Sequence, residues 1–545
     1  MLLPRANRTI TRYSRHGEWI GRFVHRSYIS NSKHKNSCNY YSTTASSNLG
    51  KNIFRRSRKF SKDIGWALLG GSGLMLASYS WLGSSSISLD AIDGIKHYST
   101  KVANKSATIT LLTDSEIDKK LRGLEQSYIV NRNKGITRYD VAQLPSNNPI
   151  EDNHIEQVIT VPIKDTEEDL YFFGIFDGHS GPFTSAKLSK DMVRYVAKQL
   201  SPFYSSPKSE GSSEQVDSAI IDAFVQLDQD IIQQSFKQLF RDPSQENMVN
   251  VLPAISGSCA LLSLYNSKDM SLKVAVTGDS RALIGGIDEN SNWFVKALSI
   301  DQTGDNLDEV ARIQNEHPGE PNAVRRGRVL GCLQPSRAFG DYRYKLKEVD
   351  GKKLSDLPDH VKIYFRSEPR DLLTPPYVTS KPEITTTTVH NNVKFMIMGS
   401  DGLFELLTNE EIVGLVAKWQ EQYMTQNQST RKNITAQTGK LPLVKDLTSD
   451  KSSQRPAFRY KKKDNSNATD YLLEDPNVAT HLIRNALSAG GQKEYVSTLT
   501  SIPSPMSRKY RDDLTVTVAF FGESEKKDGS LEINHEATTP PKPKL

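Results

Sequence analysis

Between about residues 111 and 522, short apolar runs bounded by Gly, Asp or Asn alternate with stretches of helical period. The runs at 170–176 (LYFFGIF), 259–265, 272–277, 394–398 and 514–521 have the length and punctuation of strands, and a further strand is expected at 154–161. Among the helical stretches, 218–238 spaces Ile221, Phe224, Leu227, Asp228, Ile231 and Ile232 so that its apolar members share one face. A second helix, 478–489, starts after Asp475-Pro476-Asn477 and stops at Gly490-Gly491, and both read as amphipathic surface helices. Two polar stretches, 345–371 and 420–467, lack the period of a packed element. They read as insertions, either plain solvated loops or a rim that selects substrates. From Ser524 the chain is charged and proline-rich, ending TTPPKPKL, and is predicted to be disordered.

Ahead of the globular region, residues 64–82 carry no charge over nearly the length of a bilayer-spanning helix, with Trp66 and Trp81 near the two ends. Gly70, Gly71 and Gly73 weaken the signal. As an inner-membrane anchor this run would place the rest of the chain in the intermembrane space, because positive charge precedes it and Asp90 and Asp93 follow. As part of a removed presequence it would leave the protein in the matrix.

Charge decides what the preceding segment is. The net charge of +7 suggests a nucleic-acid binder until its distribution is considered: residues 5–62 hold fourteen Lys and Arg against the single acid Glu18, and the remainder is acidic. An Arg-rich, Ser-rich, acid-poor N-terminus is the composition of a mitochondrial transit peptide. A basic arm for RNA or acidic lipid is the other reading of that segment. No nucleic-acid partner is expected for the rest.

The 545 residues exceed one ordinary core, and the expected organisation is 1–63 transit region, 64–82 candidate membrane segment, 83–110 linker, 111–522 globular domain with the two polar insertions, and 523–545 tail. Cys38, Cys259 and Cys332 form no CxxC pair, which excludes a disulfide framework or a thiolate zinc site. The terminal Pro543-Lys544-Leu545 is one residue from the Ser-Lys-Leu peroxisomal address, so a minor peroxisomal pool is a second expectation.

Candidate chemistry lies in carboxylates at strand ends. In FFGIFDGHSG a strand ends at Asp177, followed by Gly178 and His179; MIMGSDGLFE repeats the layout with Asp401 and Gly402 before a helix near Asn409. RDDLTVTVAFF puts Asp512 and Asp513 ahead of a strand, and PIEDN puts Glu151 and Asp152 ahead of another. Oxygen ligands fixed in this way suit hard divalent cations such as Mg2+ or Mn2+. Singly, each Asp-Gly is more often a structural turn than a ligand.

As an ordered set, and with SGSCALLSLY, VAVTGDSRALIGG and SRAFGDYRYK, these motifs resemble the protein phosphatase 2C family from about residue 144 to 521. QLPSNNPIEDN, EHPGE, TPPYVTSKPEI and RDDLTV are similar to its pyruvate dehydrogenase phosphatase subgroup, which is mitochondrial.

The resemblance implies an α+β fold, a four-layer αββα sandwich of two antiparallel sheets flanked by helices, with a binuclear metal site at one end. It implies a Mg2+- or Mn2+-dependent serine/threonine phosphatase in which two cations activate a water that attacks phosphorus directly. Asp177 would bridge both ions, the Gly178 carbonyl would bind one, and Asp401 and Asp512 the other, with Asp152 and Glu151 completing the shell. His179 would be the general acid, or else a supporting histidine. Asp279, with Glu405 nearby, would serve a weaker third ion or a structural role. Most members carry arginine four positions before the Glu of the Glu-Asp pair to hold the substrate phosphate; here that position is Asn147, as is usual in the subgroup. The implied substrate is phosphoserine on the E1 alpha subunit of the pyruvate dehydrogenase complex. Other mitochondrial phosphoproteins, and a pseudophosphatase that only binds partners, are the alternatives.

Overall fold

The structure, a computed structural model, describes residues 105–163, 166–204, 211–424 and 471–540, together with short strands at Ser27–Ile29, His97–Val102 and Val444–Thr448. Twelve strands build its frame: β1 Gln126–Val130, β2 Ile136–Leu144, β3 Asn153–Ile163, β4 Thr166–Phe176, β5 Ala260–Asn266, β6 Ser271–Thr277, β7 Arg281–Ile287, β8 Trp293–Ala297, β9 Glu383–Thr388, β10 Val393–Gly399, β11 Leu514–Phe521 and β12 Leu531–Ile533. One sheet runs β3-β4-β5-β6-β9, with Ser27–Ile29 on its β3 edge. The other runs β8-β7-β10-β11-β2-β1-β12, with Val444–Thr448 beside β8 in the one parallel pairing between described strands.

The pleat explains why near-continuous apolar runs form these strands. In β4, Tyr171, Phe173 and Ile175 join a cluster made with Tyr139 and Val141 of β2 and Met396 and Met398 of β10, while Leu170, Phe172 and Phe176 face helices on the other side. In β11, Ala519 belongs to the first cluster, and Leu514, Val516, Val518 and Phe520 pack against a separate set of helices. Successive side chains point to opposite faces, so a strand covered on both sides must be apolar throughout.

The helices on the first sheet are α1 Phe183–Leu200, α2 Ser213–Gln229, α3 Ser235–Arg241 and α4 Gln245–Ile255. The stretch predicted as one helix over 218–238 therefore starts earlier, at the Ser212 capping box, and passes through a π turn at Asp230–Gln234 before α3. On the second sheet lie α5 Asn409–Tyr423, α6 Val478–Leu487 and α7 Lys493–Ser501.

Three expectations are corrected. Helix α6 is not a surface helix, since all ten of its residues are buried. Its polar members are satisfied internally: Arg484 pairs with Asp475 at 2.6 Å, and Asn485 bonds the Leu472 backbone in both directions. Burial drives His481 down to about 4, so it sits neutral against the Leu415 carbonyl. The insertion 345–371 is not simply solvated, because Val349, Leu357 and Val361 are buried in the helix-side cluster of the first sheet. The tail beyond Ser524 is ordered as far as residue 540: β12 pairs with β1, Asn534 donates from its backbone to Ser127 O at 2.9 Å, and Ala537 is fully buried. The physical reason is the open edge of β1, whose unpaired backbone groups accept an added strand whatever side chains it carries.

The candidate membrane segment 64–82, the transit region, the C-terminal tripeptide and most of 420–467 lie outside the described residues. Among the described residues no helix is long and apolar enough to cross a membrane.

Truncation after Gly522 tests the ordered tail. It removes β12 and uncovers the β1 edge and Ser127, and with several buried hydrogen bonds at about 1 kcal/mol each it is expected to lower the urea midpoint measurably. An unchanged midpoint would show that the tail contributes nothing to the fold.

Candidate metal centre

Antiparallel pairing brings the chemistry to one end of both sheets. Phe176 at the end of β4 is paired with Asn153 at the start of β3, so Asp177 and Asp152 are neighbours. In the other sheet Gly399 is paired with Val516 and Leu514 with Leu144, which gathers Asp401, Asp512 and the 146–151 loop. Asp279 follows β6 after Gly278, whose φ of +108° turns the chain there.

Asp177, Asp279 and Asp401 each offer a carboxylate oxygen within 4.8 Å of the others. The backbone N–H of Asp401 donates to Asp177 Oδ2 at 3.4 Å, a link across the two sheets, and the Asp177 carbonyl accepts from Cys259 N at 2.8 Å. Asp279, expected only for a weaker ion or a structural role, is thus grouped with the two principal aspartates. Its Oδ1 also accepts from Cys259 Sγ at 3.1 Å.

The other expected residues surround this trio. Asp152 is buried and accepts from Thr515 Oγ1 at 2.7 Å. Asp512 is ion-paired with Arg508 and accepts from Asp513 N at 2.7 Å. Glu151 accepts from Gly181 N at 2.7 Å, and its carbonyl accepts from Ser185 Oγ. Gly178 has a second reason to be glycine: a Cβ there would run into the Glu151 carbonyl and Ser185 Oγ. His179 Nε2 is 2.5 Å from Asp341 Oδ2, and Gly257 passes so close that any side chain on it would strike both groups.

Two organising residues escape a reading of the sequence. Asp513 accepts from Ser146 N at 2.5 Å, Asn147 N and Glu151 N at 2.9 Å, and Asn147 Nδ2 at 3.1 Å, so the second Asp of the doublet holds the loop that carries the first two carboxylates. Asp341 is the partner of His179 although 162 positions away; its left-handed φ of +52° just after Gly340 at +68° presents it. The doublet RDD and the Gly-Asp of SRAFGD were the available signals.

The electrostatics favour a cation. Burial, then repulsion from neighbouring carboxylates, raises Asp152, Asp177 and Asp401 well above the ordinary aspartate range. Burial is the main cause that lifts Asp279 to about 6 and Glu405 to about 7. Burial opposes protonation of His179, but the charge and hydrogen bond of Asp341 outweigh it and raise the imidazole. The donor set fits a metal: all oxygen, largely buried, and with Asp401 Oδ1 enclosed but unmatched by any protein donor.

Residues 146–440, more than half of the chain, match the family model described as protein phosphatase 2C. The chain belongs to that family. It is accordingly a protein serine/threonine phosphatase, from a family that is metal-dependent. It is similar to the mitochondrial [pyruvate dehydrogenase [acetyl-transferring]]-phosphatase 1 of Saccharomyces cerevisiae, with 56% identity over 97% of this chain and 96% of the relative. It is also similar to a protein phosphatase 2C homolog of Schizosaccharomyces pombe, with 37% identity over 87% of this chain and 98% of that one. The Bos taurus protein bearing the same name as the first is 28% identical over 75% of this chain and 83% of its own length.

Carboxylates raised in the folded state bind protons more tightly there than in the unfolded chain. Their contribution to stability is therefore full below the ordinary carboxylate range and lost as pH rises through about 6 for Asp279 and about 7 for Glu405. For this phosphatase without metal, the cluster is expected to lower the melting temperature as pH rises from about 4 to about 7. Mn2+ should then raise the melting temperature more at pH 7 than at pH 5. Equal gains at both values, read by differential scanning calorimetry, would count against the cluster as the metal site.

Proposed function

We propose that this chain is a mitochondrial phosphatase that removes phosphate from serine on the E1 alpha subunit of the pyruvate dehydrogenase complex, with Asp152, Asp177, the Gly178 carbonyl, Asp401 and Asp512 holding two Mg2+ or Mn2+ ions. The observation that carries the metal site is the convergence of buried carboxylates from the strand ends of both sheets, with Asp401 Oδ1 left unmatched. The alternation of the pleat between three apolar clusters supports reading the domain as four layers, helix, sheet, sheet, helix, with this centre at one end.

Bound cations would neutralise the phosphate charge and supply a deprotonated water as nucleophile near neutral pH. The protein's own part begins with orientation: Asp513 fixes the 146–151 loop, and the β4 and β10 ends fix Asp177 and Asp401. Asp279 and Glu405 lie within electrostatic reach of the centre and are the residues for a weaker third ion. His179 then acts as the general acid. Asp341 engages Nε2 and favours the protonated ring, the form that a general acid requires for the departing seryl oxygen.

The substrate reading rests on relatives named for pyruvate dehydrogenase. It favours delivery to the matrix, with the 1–63 segment as transit region, over a domain anchored by 64–82 in the intermembrane space. A general phosphatase of mitochondrial phosphoproteins is the second reading. The full carboxylate set weighs against a pseudophosphatase.

With phosphoserine peptide and Mn2+, Asp177→Ala and chelation of all metal should each abolish hydrolysis. Activity that survives chelation would overturn the mechanism. Replacing His179 by Asn should lower kcat on phosphoserine by roughly 10²–10⁴-fold, yet leave p-nitrophenyl phosphate far less affected, because its leaving group departs without a proton. An equal loss on both substrates would assign His179 a positional role. Phosphorylated E1 alpha should surpass an unrelated mitochondrial phosphoprotein in kcat/KM, and parity would favour the general phosphatase.

A further inference from the structure

The phosphatase reading leaves the substrate phosphate without a guanidinium at position 147. Asn147 does not compensate: its amide donates inward to Asp513 Oδ2 at 3.1 Å and to Glu151 Oε2 at 3.5 Å, holding the loop rather than reaching out to a ligand. We propose that Arg508 grips the substrate phosphate in this chain, entering the centre from the segment next to the one that carries Asn147.

Arg508 lies in the 3-10 turn Met506–Lys509, four residues before Asp512. Its Nη1 is ion-paired with the Asp512 carboxylate while its side chain stays 39% exposed, so the guanidinium is anchored on the acidic cluster by a side chain that is not fully enclosed. The charge reaches further than that one partner. It acts on Asp401 and Asp177, and it is felt by Glu151 and by Glu405. A guanidinium has five N–H donors in a planar fork, more than one carboxylate accepts, which leaves donors for phosphate oxygens.

The turn is fixed against the neighbouring loop. Ser507 Oγ donates to Ser146 O at 2.7 Å, Ser146 Oγ donates back to Arg511 O at 2.8 Å, and Arg511 Nη2 donates to Pro145 O at 2.7 Å. Residue 146 is the immediate neighbour of Asn147, so the two segments are stitched together at the point where a phosphate-holding arginine would otherwise begin. A guanidinium supplied from the second segment loses little ordering entropy on binding, because the turn that carries it is already held. The competing role for Arg508 is merely to neutralise Asp512, which predicts an effect on metal affinity and none on phosphate.

This inference rests on the carboxylate cluster being the phosphatase centre, and the experiment separates the two. The full chain and its Arg508→Ala, Arg508→Lys and Arg508→Ala/Asn147→Arg variants are compared with Mn2+ present. KM and kcat are measured on phosphoserine peptide, affinity for inorganic phosphate by titration calorimetry, half-activating Mn2+ concentration by titration, and folding by melting temperature. Arg508→Ala should raise both KM and the phosphate dissociation constant by roughly ten- to hundredfold, with a much smaller change in kcat, because the grip is made in ground and transition states alike. The Mn2+ requirement should not rise, since removing a cation paired with Asp512 leaves that carboxylate at least as available to metal. Lysine should recover part of the loss, and Asn147→Arg should restore phosphate binding to the Arg508→Ala protein.

Unchanged phosphate affinity in a folded Arg508→Ala protein would overturn the inference, as would a change confined to the Mn2+ requirement. So would a loss found only on replacing Arg366, whose Nη1 donates to Ser180 Oγ at 3.3 Å beside His179. A wild-type chain that fails to hydrolyse the peptide would defeat the phosphatase reading itself, whereas an active wild type with an indifferent Arg508→Ala defeats this inference alone.

Discussion

Several carboxylates with little water around them cannot all be charged at close range unless something positive joins them. Asp152, Asp177, Asp279 and Asp401 are in that position, brought together by strand ends that antiparallel pairing cannot separate. Most neighbouring features can be understood as holding this group together. The Asp513 staple, the Asp401 to Asp177 link across the sheets and the Thr515 hydroxyl on Asp152 all fix groups that would repel one another. The members of the group are attached to two sheets rather than to loops alone, so the packing of both sheets opposes the repulsion within it.

The surroundings of the site carry a different constraint, that of close approach. Gly178 lies against the Glu151 carbonyl, Gly257 against both His179 and Asp341, and Gly402 against the Asp513 carbonyl. In each case backbone or a functional side chain occupies the space of a Cβ. The glycines of the DG motifs are therefore packing residues as much as turn residues, and they let the two sheet ends approach closely enough for their carboxylates to meet.

Much of this was legible in the chain because the strands that matter are covered on both faces. The runs at 170–176 and 514–521 could be read directly, and the aspartates that end or precede such runs followed from them. What could not be read depends on pairings across sequence. Asp341 is opposite His179 only because the short strands Phe339–Gly340 and Gly178–His179 flank Gly257–Ser258. Helix α6 looked amphipathic because Arg484 and Asn485 are polar, yet each spends its polarity on partners several residues away, and polarity satisfied inside a protein gives no sign of exposure. The tail misled for the converse reason: β12 is held by backbone pairing, to which a charged composition is indifferent.

The order of the chain within the second sheet has a consequence for assembly of the fold. Strand β11, near the C-terminus, lies between β10 and β2 in the interior of that sheet, and Asp512 and Asp513 sit at its start. A chain in which β11 has not docked therefore lacks an interior strand, one carboxylate of the centre and the staple of another loop all at once. Catalytic competence therefore cannot precede docking of this one strand. The interior of the sheet and the acidic centre are completed in a single event, and no partly assembled form of the domain is also a partly active one.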